Sequence, residues 1–237
     1  MATMTFAQKL FEAGKKMTHE LVLNGEVTAT KAGSVKFWLK GSEPSDQAYS
    51  IKFGKVGEAL SQWFIEQSPK SVELLSCGVK KMSSGKKKDF DLLWRDPETN
   101  TIYLRELKGN IELDSEKLPA TFSKMRGELQ PELEKMYPGA TIDVGILNWS
   151  IYSRDELSKG LSHIKKCESS GVPVDHMKEF ADRLDIPLTQ ECWRELGRIL
   201  GNETWPGNAT ENEKLRAEVK RQAEYIKELE KYHLQYL

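Results

Sequence analysis

Residues 88–108 read KDFDLLWRDPETNTIYLRELK and set Asp89, Asp91, Glu106 and Lys108 on two strongly apolar stretches. Burying an unpaired charge there is costly. Either these residues are solvated on a hairpin surface, or they converge and compensate one another. In a strand, side chains at i and i+2 share a face, so Asp89 and Asp91 point one way, as do Glu106 and Lys108 on the partner. Hard divalent cations such as Mg²⁺ take oxygen ligands from one or two carboxylates and leave positions for waters and phosphate oxygens. A lysine two residues after the glutamate would lie beside such an ion. There it can hold or deprotonate an attacking water and offset charge on a phosphate. The chemistry these four residues suit is phosphodiester hydrolysis.

The elements that must position them are readable from periodicity. DFDLLW (89–94) and TIYLREL (101–107) are strand-like, and RDPETN between them reverses the chain, which predicts an antiparallel hairpin. Upstream, residues 53–67 place Val56, Leu60, Trp63 and Phe64 on one helical face, closed by Ser68 and Pro69, and residues 72–79 (VELLSCGV) read as a strand. Gly54 and Gly57 are placed to let that helix approach a neighbour. Downstream, Leu118, Phe122, Met125, Leu129, Leu133 and Met136 recur at steps of three and four within 115–136, with Pro131 marking a kink or restart. TIDVGILNWSIY (141–152) suits a central strand. The order is helix, three strands, helix, strand.

Asp91 followed by Glu106-Leu107-Lys108 resembles the PD-(D/E)xK nuclease superfamily, which includes many type II restriction endonucleases and Holliday-junction resolvases. The resemblance covers roughly residues 50–152. The family's architecture, a mixed central β-sheet flanked by helices in the order αβββαβ, has the element order found above. It implies an α/β (α+β) core of that kind and Mg²⁺-dependent cleavage of double-stranded DNA, sequence-specific as in restriction enzymes, with Mn²⁺ able to substitute. It implies further that Asp91 and Glu106 bind the metal and that Leu107 lends its backbone carbonyl. Lys108 would be catalytic, and Glu58 on the preceding helix would complete the site. The family's Pro-Asp is absent, since Lys88-Asp89 or Phe90-Asp91 stands in its place. Asp91 is favoured because Leu92-Leu93-Trp94 continues the strand directly, with Asp89 a candidate second ligand.

Four stretches follow: an N-terminal segment (1–52), the nuclease-like core (53–152), a helical region (153–201) and a C-terminal helix (209–237). Residues 5–23 look helical in their first half, and SVKFWL (34–39) suits a strand. In the helical region Asp175 and Thr189 are candidate N-caps. Residues 202–208 read as a linker. The last helix carries Leu215, Val219, Ile226, Leu229 and Tyr236 near heptad spacing, with polar Gln222 and His233 on the same seam, and is expected to dock or dimerise. A homodimer would let two sites cut two strands.

With 35 Lys and Arg against 36 Asp and Glu, the net charge of −1 gives no general affinity for nucleic acid, so contact must come from local clusters. Lys80, Lys81, Lys86, Lys87 and Lys88 form one immediately before the acidic strand, placed to meet DNA phosphates. Cys77, Cys167 and Cys192 lie far apart outside any CxxC spacing and are expected as reduced core thiols. His19, His163, His176 and His233 show no ligand spacing and are expected at the surface or half-buried, with no zinc. The start lacks a signal-peptide pattern and no run of about 18 apolar residues occurs, so a cytoplasmic protein without membrane contact is expected. Two alternatives remain open at this point: a structure-selective or repair nuclease, and a non-enzymatic oligomeric binding protein with a structural acidic cluster.

Overall fold

The computed structural model describes residues 4–23, 46–82, 85–109, 111, 118–157 and 160–204. The strand expected at 34–39 and the helix at 209–237 lie outside them. Helix α1 (Phe6–Thr18) starts at a capping box, in which Gln8 N–H donates to the Thr5 hydroxyl and Thr5 N–H donates to Gln8 Oε1. It continues as a π-helical turn (His19–Leu23), past the point where its pattern fades. Helix α2 (Asp46–Gln67) is longer than the 53–67 read from periodicity, and Val56, Leu60 and Phe64 on its apolar face are fully buried. Gly57 is where it approaches a neighbour: a Cβ there would stand 2.3 Å from the Trp149 ring, whereas one on Gly54 would meet nothing within 4 Å.

Three strands follow, β1 (Glu73–Lys81), β2 (Lys87–Asp96) and β3 (Thr101–Lys108), all paired antiparallel. The β2–β3 turn is closed by the Asp96 carboxylate, which accepts the N–H groups of Glu98 and Thr99, and by Asn100 in the left-handed region at φ 49°. The next helical stretch has three parts: α3 (Leu118–Phe122), a π-helical segment (Ser123–Leu129) and α4 (Gln130–Met136). Pro131 stands where the π-helical segment passes into α4, and, having no N–H, it donates no intrahelical bond there. Strand β4 (Thr141–Asn148) runs parallel to β3 and ends four residues earlier than expected. Trp149 turns the chain there, its N–H donating to the Lys108 carbonyl.

The region 153–201 contains α5 (Leu161–Ser169), α6 (Met177–Arg183) and α7 (Gln190–Thr204), and also a strand that periodicity did not predict, β5 (Val174–His176), parallel to β4. Three residues are too few to show a period, and an Asp at the centre disfavours a strand reading. Asp175 therefore sits inside β5, and His176 occupies the N-cap position of α6. Thr189 does cap α7, accepting the N–H of Cys192. That helix passes through Gly201 to Thr204, so residues 202–204 of the expected linker are helical, and 205–208 lie outside the described residues.

The result is a mixed α/β fold with a five-stranded sheet in the order β1-β2-β3-β4-β5, covered on both faces by helices. On one face α1, α2, α6 and α7 bury Leu10, Leu60, Phe64, Phe180 and Trp193 against Leu92, Trp94 and Leu147. On the other, Leu118, Met125, Leu129, Leu133, Ile164 and Cys167 pack on Phe90, Leu93, Ile102, Leu104, Val144 and Ile146. Burial of this extent on both faces is the main term holding the sheet between its layers. Cys167 is in this core, while Cys77 and Cys192 are half-buried; all three thiols are free.

Candidate active site

The β2–β3 ladder runs from Asp96 opposite Thr101 to Leu92 opposite Arg105 and stops there. The next pair in the same register would set Asp91 opposite Glu106. Two residues earlier in that register Leu93 faces Leu104, both in the core beneath α3 and α4, so alternation turns Asp91 and Glu106 toward that same face. Beyond Leu92, β2 leaves the ladder. Against β1, Asp91 and Leu92, between Phe90 and Leu93, oppose the single residue Cys77 between Ser76 and Gly78, which is a bulge. The Asp91 carboxylate fills the gap: Leu107 N–H donates to its Oδ2 at 2.8 Å. In an antiparallel ladder a residue's N–H and C=O leave the strand on the same side, so the Leu107 carbonyl also faces this gap. The Asp91 carbonyl is held from the other strand, accepting the Cys77 thiol at 3.1 Å.

Burial is the main cause that pushes the Asp91 carboxyl up to about 6, followed by repulsion from Glu106; the Leu107 N–H opposes the shift and Glu58 adds to it. Glu106 carries an ammonium near each carboxylate oxygen, Lys124 Nζ at 3.1 Å from Oε2 and Lys108 Nζ at 3.5 Å from Oε1. Glu58 approaches from α2, on the opposite layer, and is itself paired with Lys55 at 2.6 Å. Its hydrogen bond is the main cause that raises the Lys55 ammonium, and Asp89 and Asp91 add to it. Asp89 is exposed opposite Val79 of β1, and the residue beside Glu106 is Asp91.

The rear of the site is an ion network on the face opposite Glu106. Arg105, fully buried, donates from Nε to Asp175 Oδ2 at 2.7 Å and from Nη1 to Asp143 Oδ1 at 3.0 Å. Arg183 donates to the other Asp175 oxygen at 2.9 Å. Burial opposes ionisation of Asp175, yet Arg105 and Arg183 together hold its carboxyl below the usual range. The network ties β3 to β4 and β5 one residue before Glu106. It also explains why Asp175 is not an N-cap: its carboxylate is committed to guanidinium groups.

Register further places Lys108, Asn148 and His176 in one row across β3, β4 and β5. Asn148 is 0% and His176 1% exposed; among the described residues no hydrogen-bond partner reaches the Asn148 side chain, and His176 Nδ1 faces Glu179 Oε2 at 3.7 Å. His176 is thus a core residue rather than the surface or half-buried one expected; His19 is exposed and His163 half-buried.

The lysine cluster divides. Lys81, Lys86 and Lys87 are exposed. Lys80 donates to the Tyr137 hydroxyl at 3.0 Å and the Leu75 carbonyl at 3.3 Å, and Lys88 pairs with Glu128 at 2.5 Å. Lys86 and Lys88 border a groove of about 460 Å³ with Glu128, Glu132 and Lys135. Lys124 is the site residue that sequence reasoning missed, because its partner Glu106 lies on another element, 18 residues away.

Among the described residues no helix is long and apolar enough to cross a membrane, and no group of three or more His, Cys, Asp or Glu side chains is arranged to hold a metal ion. No family model, curated protein or solved structure matches this chain.

Proposed function

We propose that this chain is a Mg²⁺-dependent DNA endonuclease of restriction type, with Asp91, Glu106, the Leu107 carbonyl and Lys108 as its site. One observation carries the reading: Asp91 and Glu106 are set side by side in a strand gap, where burial and mutual repulsion keep the Asp91 carboxyl near 6. A hard cation relieves both penalties, and the donors are all oxygens. Two carboxylates and a carbonyl are a sufficient protein contribution for Mg²⁺, which keeps several waters. The fit is therefore good without a third acidic ligand.

Asp91, Glu106 and the Leu107 carbonyl would hold the ion, with Glu58 as a neighbouring charge. When bound, the ion polarises a phosphate oxygen and acidifies a coordinated water. Lys108, beside Glu106, aligns the attacking water. As the water oxygen bonds to phosphorus, the ester P–O bond opposite breaks, the water's proton leaves to solvent, and the departing oxygen takes one up. Lys81, Lys86 and Lys87 meet neighbouring phosphates at the start of the strand that carries Asp91. The αβββαβ element order, observed from α2 to β4, supports the family resemblance.

Digestion of supercoiled plasmid and of mixed duplex DNA with Mg²⁺ or Mn²⁺, followed by end sequencing, tests the reading. Defined fragments are expected, and Glu106→Ala or Lys108→Ala should lower cutting by about 10²-fold or more with the fold intact. Protein that nicks and cuts no DNA with either ion contradicts the proposal. Cleavage confined to branched or end-bearing DNA would instead favour a repair-type nuclease.

A further inference from the structure

Lys124 stands on the π-helical segment between α3 and α4, flanked by Phe122 and Met125, which pack into the core, and reaches Glu106 on β3. Its side chain is 36% exposed and that of Glu106 19%, so the pair lies at the mouth of the site rather than inside the core. An ion pair in that setting contributes little to stability. Lys108 and Lys124 thus set one ammonium near each Glu106 oxygen, with the Asp91 carboxylate beside them. π-Helical turns widen a helix locally and recur at functional sites. The charge of Lys124 also acts on Asp91 and on Glu128 at the groove bordered by Lys86 and Lys88, so it stands between the acidic pair and the cationic strand start.

We propose that Lys124 is a further catalytic residue: in the cation-free protein it covers Glu106, and in the loaded site it moves to a non-bridging phosphate oxygen of the substrate. This rests on the nuclease reading above. Two effects of opposite sign follow. Removing the ammonium removes a competitor for Glu106, which tightens cation binding. It also removes a positive charge from the phosphate, which slows cutting. A lysine that merely braced the helix would, when removed, loosen the site and weaken both.

The test is calorimetric titration with Mn²⁺ and single-turnover plasmid cleavage at saturating Mn²⁺, on full-length wild type, Lys124→Met and Lys124→Arg. Lys124→Met, which keeps the apolar stem, should bind Mn²⁺ about threefold to tenfold more tightly and cut about 10²-fold more slowly. Lys124→Arg should keep wild-type Mn²⁺ affinity and most of the cutting. Lys124→Met that cuts within about twofold of wild type, or that binds Mn²⁺ no more tightly, overturns this proposal alone. Wild type that neither binds Mn²⁺ nor cuts overturns the nuclease reading and this proposal with it.

Discussion

Leu107 N–H donates to Asp91 Oδ2 at 2.8 Å, in the place where continued strand pairing would supply a backbone carbonyl. One side chain thus ends the β2–β3 ladder and satisfies the N–H that the ending exposes, so the gap is stable without further backbone pairing. The cost falls on the carboxylate, which is buried beside Glu106.

That cost sets a pH dependence. The folded protein holds the Asp91 proton up to about pH 6, and the unfolded chain only to about pH 4. Between these values the folded state binds more protons, so this group's contribution to stability falls as pH rises, and the full penalty stands above about pH 6. Asp91→Asn keeps an acceptor for Leu107 N–H and removes the charge. Urea unfolding without divalent ions should show it stabilised by about 1–2 kcal/mol near pH 7.5 and nearly unchanged near pH 4. Equal destabilisation at both pH values would contradict this account of the gap.

Arg105 is the covalent neighbour of Glu106 and is fully buried against Asp143 and Asp175. Arg105→Met leaves the Asp175 carboxylate buried with only Arg183, and should cost about 3–5 kcal/mol in urea unfolding. A cost under about 1 kcal/mol would mean the network does not hold β3 against β4 and β5.

The lysine cluster should behave as two sets. Replacing exposed Lys81, Lys86 and Lys87 together by Ala should flatten the dependence of log affinity for duplex DNA on log salt by about 2–3, measured by fluorescence anisotropy. Lys80→Ala should leave that slope alone and lower stability, because its ammonium is engaged by Tyr137 and Leu75. A slope unchanged in the triple variant would remove DNA contact from this strand end.

Where a side chain's task is set by its own segment, the sequence showed it. The buried face of α2, the hairpin with its Asp96 turn and the six apolar positions of 115–136 all follow from local period and turn chemistry, and so does the nearness of Asp91 to Glu106 once the hairpin is drawn. Lys124, Arg105 and Lys80 were not visible because their partners belong to other elements. Arg105 meets a carboxylate 70 residues away on a strand too short to show a period. Lys80 differs from its neighbours only because Tyr137 lies against it. Asp89 and Asp91 are alike in type; the bulge separates them, leaving one exposed opposite Val79 and the other in the gap.

The most direct test of the acidic pair as a cation site is calorimetric titration of metal-free protein with Mn²⁺, wild type against Glu106→Ala. Wild type should bind the ion stoichiometrically, and Glu106→Ala, with its fold confirmed by circular dichroism, should not. Wild type with no saturable heat, or a Glu106→Ala variant that binds as wild type does, would contradict it.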